Sequence, residues 1–390
     1  MKGKVLSYVI WFCLFFILAN TILYLEEVLL IRMLVSMLRF FSVLIAFGLA
    51  IRNKNFGGGF TWWVCGFFLI MGIITLAKHG ALNMIMSYFI NSVGISLLLY
   101  NAIKESPKMA IGVMASVFSA YIYINFLTLL IAPDGLFNGS YLIGRNYNQI
   151  GMTLVCGMVT NVAAYNMGRK SFTSTLILCL VALSSPIITG SMTSVVGCLI
   201  TLLFLFFKKQ QQKKKLLIAF VIFYAIFQGF VVFMQSDVSS IRLITYIVEE
   251  LMGKDLSFTD RARVWLIAYD MIQDSPIIGY GFQNNDWFEF YFEVKSAHNV
   301  IFQMLIYGGI ALFGFLVLML IRSVHKSLKK PSLPVYTLLL GLCTTFFMMM
   351  MENYNMVLIL YLLCLLYNSP ALSKAYYAKH TEQEKQPLQS

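Results

Sequence analysis

Charge is what this chain has least of. Only 12% of its 390 residues are Asp, Glu, Lys or Arg, against a hydrophobic fraction of 59%, which excludes an ordinary soluble globular domain. Cysteine pairs at C-x-x-C spacing are also missing. The seven cysteines (Cys13, Cys65, Cys156, Cys179, Cys198, Cys343, Cys364) all fall in apolar runs and read as inert thiols, not as a disulfide framework or metal site. There is no G-x-x-x-x-G-K-[ST], so nothing indicates ATP hydrolysis. No D-x-D could hold a metal-bound nucleotide sugar, and no Cys/His cluster has metal-ligand spacing. The first apolar run lacks an A-x-A cleavage site and reads as an uncleaved helix. Any reaction is therefore expected to use a donor that is already activated, without metal or cofactor.

What is present is a succession of apolar runs, at about 5–23, 28–51, 60–77, 83–103, 109–132, 149–167, 172–188, 192–207, 216–235, 298–321, 335–351 and 355–368. The net charge of +12 must be read loop by loop and does not point to nucleic acid. With the N-terminus inside, 20 of the 29 Lys and Arg residues fall in cytoplasmic segments and 7 in external ones, leaving Arg32 and Arg39 within the second run. The fold class is thus an all-α polytopic membrane protein of about twelve transmembrane helices. Residues 1–235 carry helices one to nine, with an external loop at 133–148. Residues 236–297 form one long external loop containing short interfacial helices, and 298–368 carry helices ten to twelve. The polar tail, 369–390, is expected to be a disordered cytoplasmic end, so both termini are cytoplasmic.

Ten of the seventeen acidic residues lie between Gln235 and His298. The aromatic content of that loop argues against disorder, and a structureless loop of this length is usually functional. Ser257 or Thr259 can cap a helix to about Gln273, stopped by Ser275-Pro276. Arg261 and Arg263 on it are either snorkelling arginines of an amphipathic lid or a guanidinium pair that clamps an anion. Gly279-Tyr280-Gly281 reads as a tight turn, with Tyr280 a possible cavity residue. His298 and Asn299 precede a new apolar run, where a helix N-terminus could bind an anion and an imidazole could remove a proton; the alternative is an interfacial cap. Arg145 and Asn148 stand before another helix in the same way. Arg39 lies near mid-bilayer, where arginine faces a bundle interior or wet cavity, and Arg32 shares its helix face.

The order R-x-R-x-x-W, D-S-P-I-I-G-Y-G-F, A-H-N-x-x-x-Q-x-x-x-x-G-G resembles the O-antigen polymerase and ligase superfamily. Gly144 to Gly151, G-R-N-Y-N-Q-I-G, is similar to the family's upstream Asn/Gly motif. Thr189-Gly190-Ser191 is similar to its T-G-S-R segment, with Met192 in place of the arginine. The histidine motif has H-N and nine residues before Gly309, where ligases tend to show H-S and ten. Both departures favour the superfamily over the ligase branch.

The resemblance implies a metal-independent glycosyltransferase of the bacterial cytoplasmic (inner) membrane. It would use sugars linked to polyprenyl (undecaprenyl) pyrophosphate on the external face, beside a flippase and a chain-length regulator. Carried onto this chain, Arg145, Arg261 and Arg263 bind the donor pyrophosphate and His298 is the base. The expected function is polymerisation of capsular polysaccharide or O-antigen repeat units. The alternatives are a ligase, or a transporter of lipid-linked sugars, which should show an internal repeat that is not visible here. His298, Arg261 and Arg263 then have to converge, over Arg145.

Overall fold

Short polar residues and proline cut the apolar chain into helices. Ser106 accepts the Met109 N–H at 3.4 Å and Pro107 opens the next helix; Ser171 accepts the Ser174 N–H at 3.1 Å. The computed structural model describes residues 2–18, 29–54, 59–136, 141–144, 147–229, 259–352 and 356–384. Among these the elements are α1 (Lys2–Leu18), α2 (Leu29–Arg52), α3 (Phe60–Ala77), α4 (Leu82–Glu105), α5 (Pro107–Ile131), α6 (Ile150–Asn166), α7 (Phe172–Ile188) and α8 (Met192–Phe206). They continue as α9 (Gln210–Phe227), α10 (Thr259–Asp274), α11 (Asn285–Phe292), α12 (Val300–Leu328), α13 (Leu333–Met348), α14 (Met356–Tyr367) and α15 (Ser369–Glu384). No strand is present among the described residues, only an isolated bridge between Tyr141 and Gly144.

Each of the twelve apolar runs contains a helix, but the expected number of spans is not established. Among the described residues, five helices are long and apolar enough to cross a membrane, or six if Met356–Tyr367 and Ser369–Ala378, bent by 52°, form one span. Shorter apolar helices include α7, α8 and α13. At a rise of about 1.5 Å per residue, 17 residues reach roughly 25 Å, short of a hydrocarbon core about 30 Å thick. The tail departs from expectation in a second way. It forms α15, because Leu372 packs fully buried and Ser373 bonds Ser332 at 3.0 Å, which gives the segment a face to bury.

α6 is the central element. It packs against α5, α7, α8, α13 and α14 and is buried from Ile150 to Ala164. Small residues let its neighbours approach: a Cβ on Gly157 would stand 2.8 Å from Ile122, and one on Gly151 would meet Ser194 and Met348. Polar residues tie the same contacts, Asn161 to the Ala115 carbonyl at 3.1 Å and Thr160 to the Tyr361 hydroxyl at 2.9 Å.

The described part of the long polar segment contains two short helices, α10 and α11, as expected. α10 buries Val264, Trp265 and Ala268 and packs on α12. Between these two helices the chain dips against α12 where Gly308 and Gly309 break its helical geometry. The carbonyls of Pro276 and Ile277 accept the N–H groups of Ile310 and Ala311 at 2.8 and 3.1 Å, and Tyr280 N–H donates to Ile306 O at 2.7 Å. The break would otherwise leave backbone groups unpaired in an apolar setting, which is costly. On its other side the dip donates the Phe282 N–H to Thr75 of α3 at 2.8 Å.

Candidate active site

The first turn of α12 fixes the site. Asn299 caps it, accepting the Ile301 N–H at 2.9 Å and the Phe302 N–H at 3.4 Å, while Gln303 reaches back to accept the Ala297 N–H at 2.9 Å. Val300 N–H donates to Met349 O at 2.9 Å, and the Asn299 amide donates to Met350 O and Gln228 at 3.3 Å each. These bonds stitch the start of α12 to the chain just after α13. They also engage the N–H groups that an anion would need, so the α12 N-terminus is not itself an anion site and Asn299 is a buried cap. His298 immediately before it has φ +47, a left-handed conformation that turns its side chain out of the helix line.

The stitched segment ends in Glu352, and three other parts of the chain meet on its carboxylate. Arg261 Nη2 lies 2.9 Å from Oε1, and Asn148 Nδ2 donates to the same oxygen at 3.0 Å. His298 Nδ1 lies 3.4 Å from Oε2, within ion-pair distance but without hydrogen-bond alignment. Behind Asn148, Ser191 donates to its Oδ1 at 2.9 Å and pairs with Ser194 at 2.7 Å. Glu352 is only 6% exposed, so this carboxylate needs its donors. The arrangement joins a cation that can hold an anionic group to an imidazole that can take a proton, through one buried carboxylate.

Of the candidates from the sequence, His298, Arg261 and Asn148 come together here. Arg263 does not join them: it points to Glu293, 2.6 Å away, on the exposed side of α10. The Arg263 hydrogen bond and charge hold the Glu293 carboxyl below its usual range. Tyr280 donates its hydroxyl to Met271 O at 3.0 Å and packs on Trp287, a structural role within the dip. Arg39 sits in α2, which packs on α1 and α4, neither of which carries a member of the cluster. The Arg32 side chain and the whole of Arg145 lie outside the described residues.

Sequence reasoning missed Glu352, Ser191 and Ser194 as site residues. A signal for the first existed: Glu352 is the single acidic residue between positions 294 and 381.

With the cluster assembled, one comparison with known proteins bears on it. Residues 176–319 match the family model described as O-antigen ligase. This match supports the O-antigen ligase and polymerase superfamily for that part of the chain. No curated protein matches the chain. The O-antigen ligase match contains Ser191, Arg261 and His298 and leaves Asn148 and Glu352 outside it. It supports a multi-pass membrane enzyme that handles glycans, with glycosyltransferase-like activity on a lipid-linked glycan.

Proposed function

We propose that the protein is a polymerase of capsular polysaccharide or O-antigen repeat units. It moves growing glycan from a polyprenyl-pyrophosphate carrier onto a lipid-linked acceptor unit, on the external face of the bacterial cytoplasmic membrane. In this reading the chain crosses that membrane about twelve times, both termini are cytoplasmic, and neither metal nor cofactor takes part. The observation that carries it is the junction of Arg261 and His298 on Glu352.

The chemistry follows from that junction. His298 takes the proton of an acceptor hydroxyl as its oxygen attacks the anomeric carbon of the donor sugar. The bond from that carbon to the phosphate oxygen breaks, and its electron pair leaves with polyprenyl pyrophosphate. Arg261 and Arg145 neutralise the charge developing on this leaving group, which is the main electrostatic contribution. The proton on His298 is then released to solvent, completing a balanced transfer. Arg263 completes the donor-binding set by exchanging Glu293 for phosphate.

The Arg263 assignment has its own test. Glu293→Ala frees Arg263 from an exposed ion pair of modest strength, so the donor KM is expected to fall by about two- to fivefold. A donor KM equal to wild type would remove Arg263 from the set.

The ligase reading draws on the family description and is opposed by Met192 and the H-N spacing. Deleting the gene and resolving the surface glycan on a gel separates the two. Single repeats on the final acceptor are the expected result; long chains left on the lipid carrier would make the protein a ligase.

A further inference from the structure

We infer that Glu352 is the positioning carboxylate of this site, holding His298 as its Nδ1–H tautomer so that Nε2 meets the acceptor hydroxyl. The inference rests on the base role proposed for His298 and adds a residue outside the matched family domain.

Three observations carry it. His298 Nδ1 is shielded from solvent and finds no hydrogen-bond acceptor in alignment, while the side chain as a whole keeps 25% of its surface. The exposed part therefore lies on the rest of the ring. Oε2 of Glu352 lies within ion-pair distance of Nδ1, at 3.4 Å, and an ionised carboxylate can only accept. The proton facing it must belong to the imidazole, which leaves the lone pair on Nε2. Meanwhile Oε1 is occupied by Arg261 and Asn148, so the carboxylate cannot turn away from the ring without abandoning two donors. The left-handed backbone at His298 and the cap at Asn299 hold the ring on the other side of the contact.

A substitution of equal size separates orientation from structure. In Glu352→Gln, the amide oxygen satisfies the two donors, Arg261 and Asn148, and the amide nitrogen then faces His298. That nitrogen donates to Nδ1, inverts the tautomer and places the ring proton on Nε2, where a base needs a lone pair. A buried aspartate that orients a catalytic histidine shows the same sensitivity to its amide.

The test uses full-length protein in detergent or nanodiscs, with lipid-pyrophosphate-linked repeat units extracted from cells lacking it as both donor and acceptor. Glu352→Gln is expected to lower kcat by about 100-fold or more with KM within about twofold. Glu352→Asp restores part of that loss because it keeps the charge. In a His298→Ala background, Glu352→Gln costs less than about twofold, since the group it acts through is gone. A wild-type kcat for Glu352→Gln, or an equal loss in both backgrounds, overturns the positioning role. If Glu352→Gln does not accumulate, Glu352→Asp decides, because it withdraws the carboxylate by one methylene. An unchanged kcat then overturns the inference. A wild-type rate for His298→Ala alone would instead overturn the base role on which this one depends.

Discussion

His298→Ala is expected to abolish chain extension while leaving the protein in the membrane at wild-type level. A positioned general base contributes roughly 10²- to 10⁴-fold, enough to turn long glycan chains into single units on a gel. The fold should survive, because the first turn of α12 is held by Asn299, Gln303 and Met349 and not by the imidazole. His298→Gly sharpens the separation. At φ +47 a side chain is strained by about 1 kcal/mol, and glycine relieves that strain. The glycine variant should therefore melt at or above the wild-type temperature and still fail to extend chains. This pattern is expected where backbone strain sits at a working residue. Wild-type chain lengths in either variant would remove His298 from the chemistry.

The sequence made the helices legible because length and apolar content are local properties. Each apolar run became a helix, the break at Thr189-Gly190-Ser191 separates α7 from α8, and Ser275-Pro276 follows the end of α10. Pairings were not legible, since no local pattern encodes them. Arg261 meets Glu352 across 91 residues and Asn148 meets it across 204. Arg261 and Arg263 look equivalent in R-x-R, yet residues two apart on a helix face apart, and one joins Glu352 while the other joins Glu293. The acidic count drew attention to the long loop and away from a lone glutamate between two apolar runs. Tail composition likewise hid α15, whose few apolar residues suffice because a ready-made surface receives them.

Gly309→Ala is expected to cost about 4 kcal/mol and to disconnect the arginine from the carboxylate without touching either. Gly309 has φ +57, where a Cβ is strained, and that Cβ would stand 2.2 Å from the carbonyl carbon of Ile277 and 2.3 Å from its oxygen. Backbone cannot yield as a flexible side chain can, so the segment from Pro276 to Tyr280 must lift. Lifting it gives up the bonds of Ile310, Ala311 and Tyr280, each worth about 1 kcal/mol when made and more when its groups stay buried unpaired. α10 ends at Asp274, immediately before that segment, so Arg261 loses its fixed approach to Glu352. Gly314→Ala on the same helix is the control, since its Cβ would enter open space and alanine favours the helix. In detergent, the melting temperature of Gly309→Ala should drop sharply and that of Gly314→Ala should hold or rise. Equal melting temperatures would mean that the dip is not what closes the break in α12. If stability falls but kcat and KM per folded molecule stay at wild type, the dip supports the helix and not the position of Arg261.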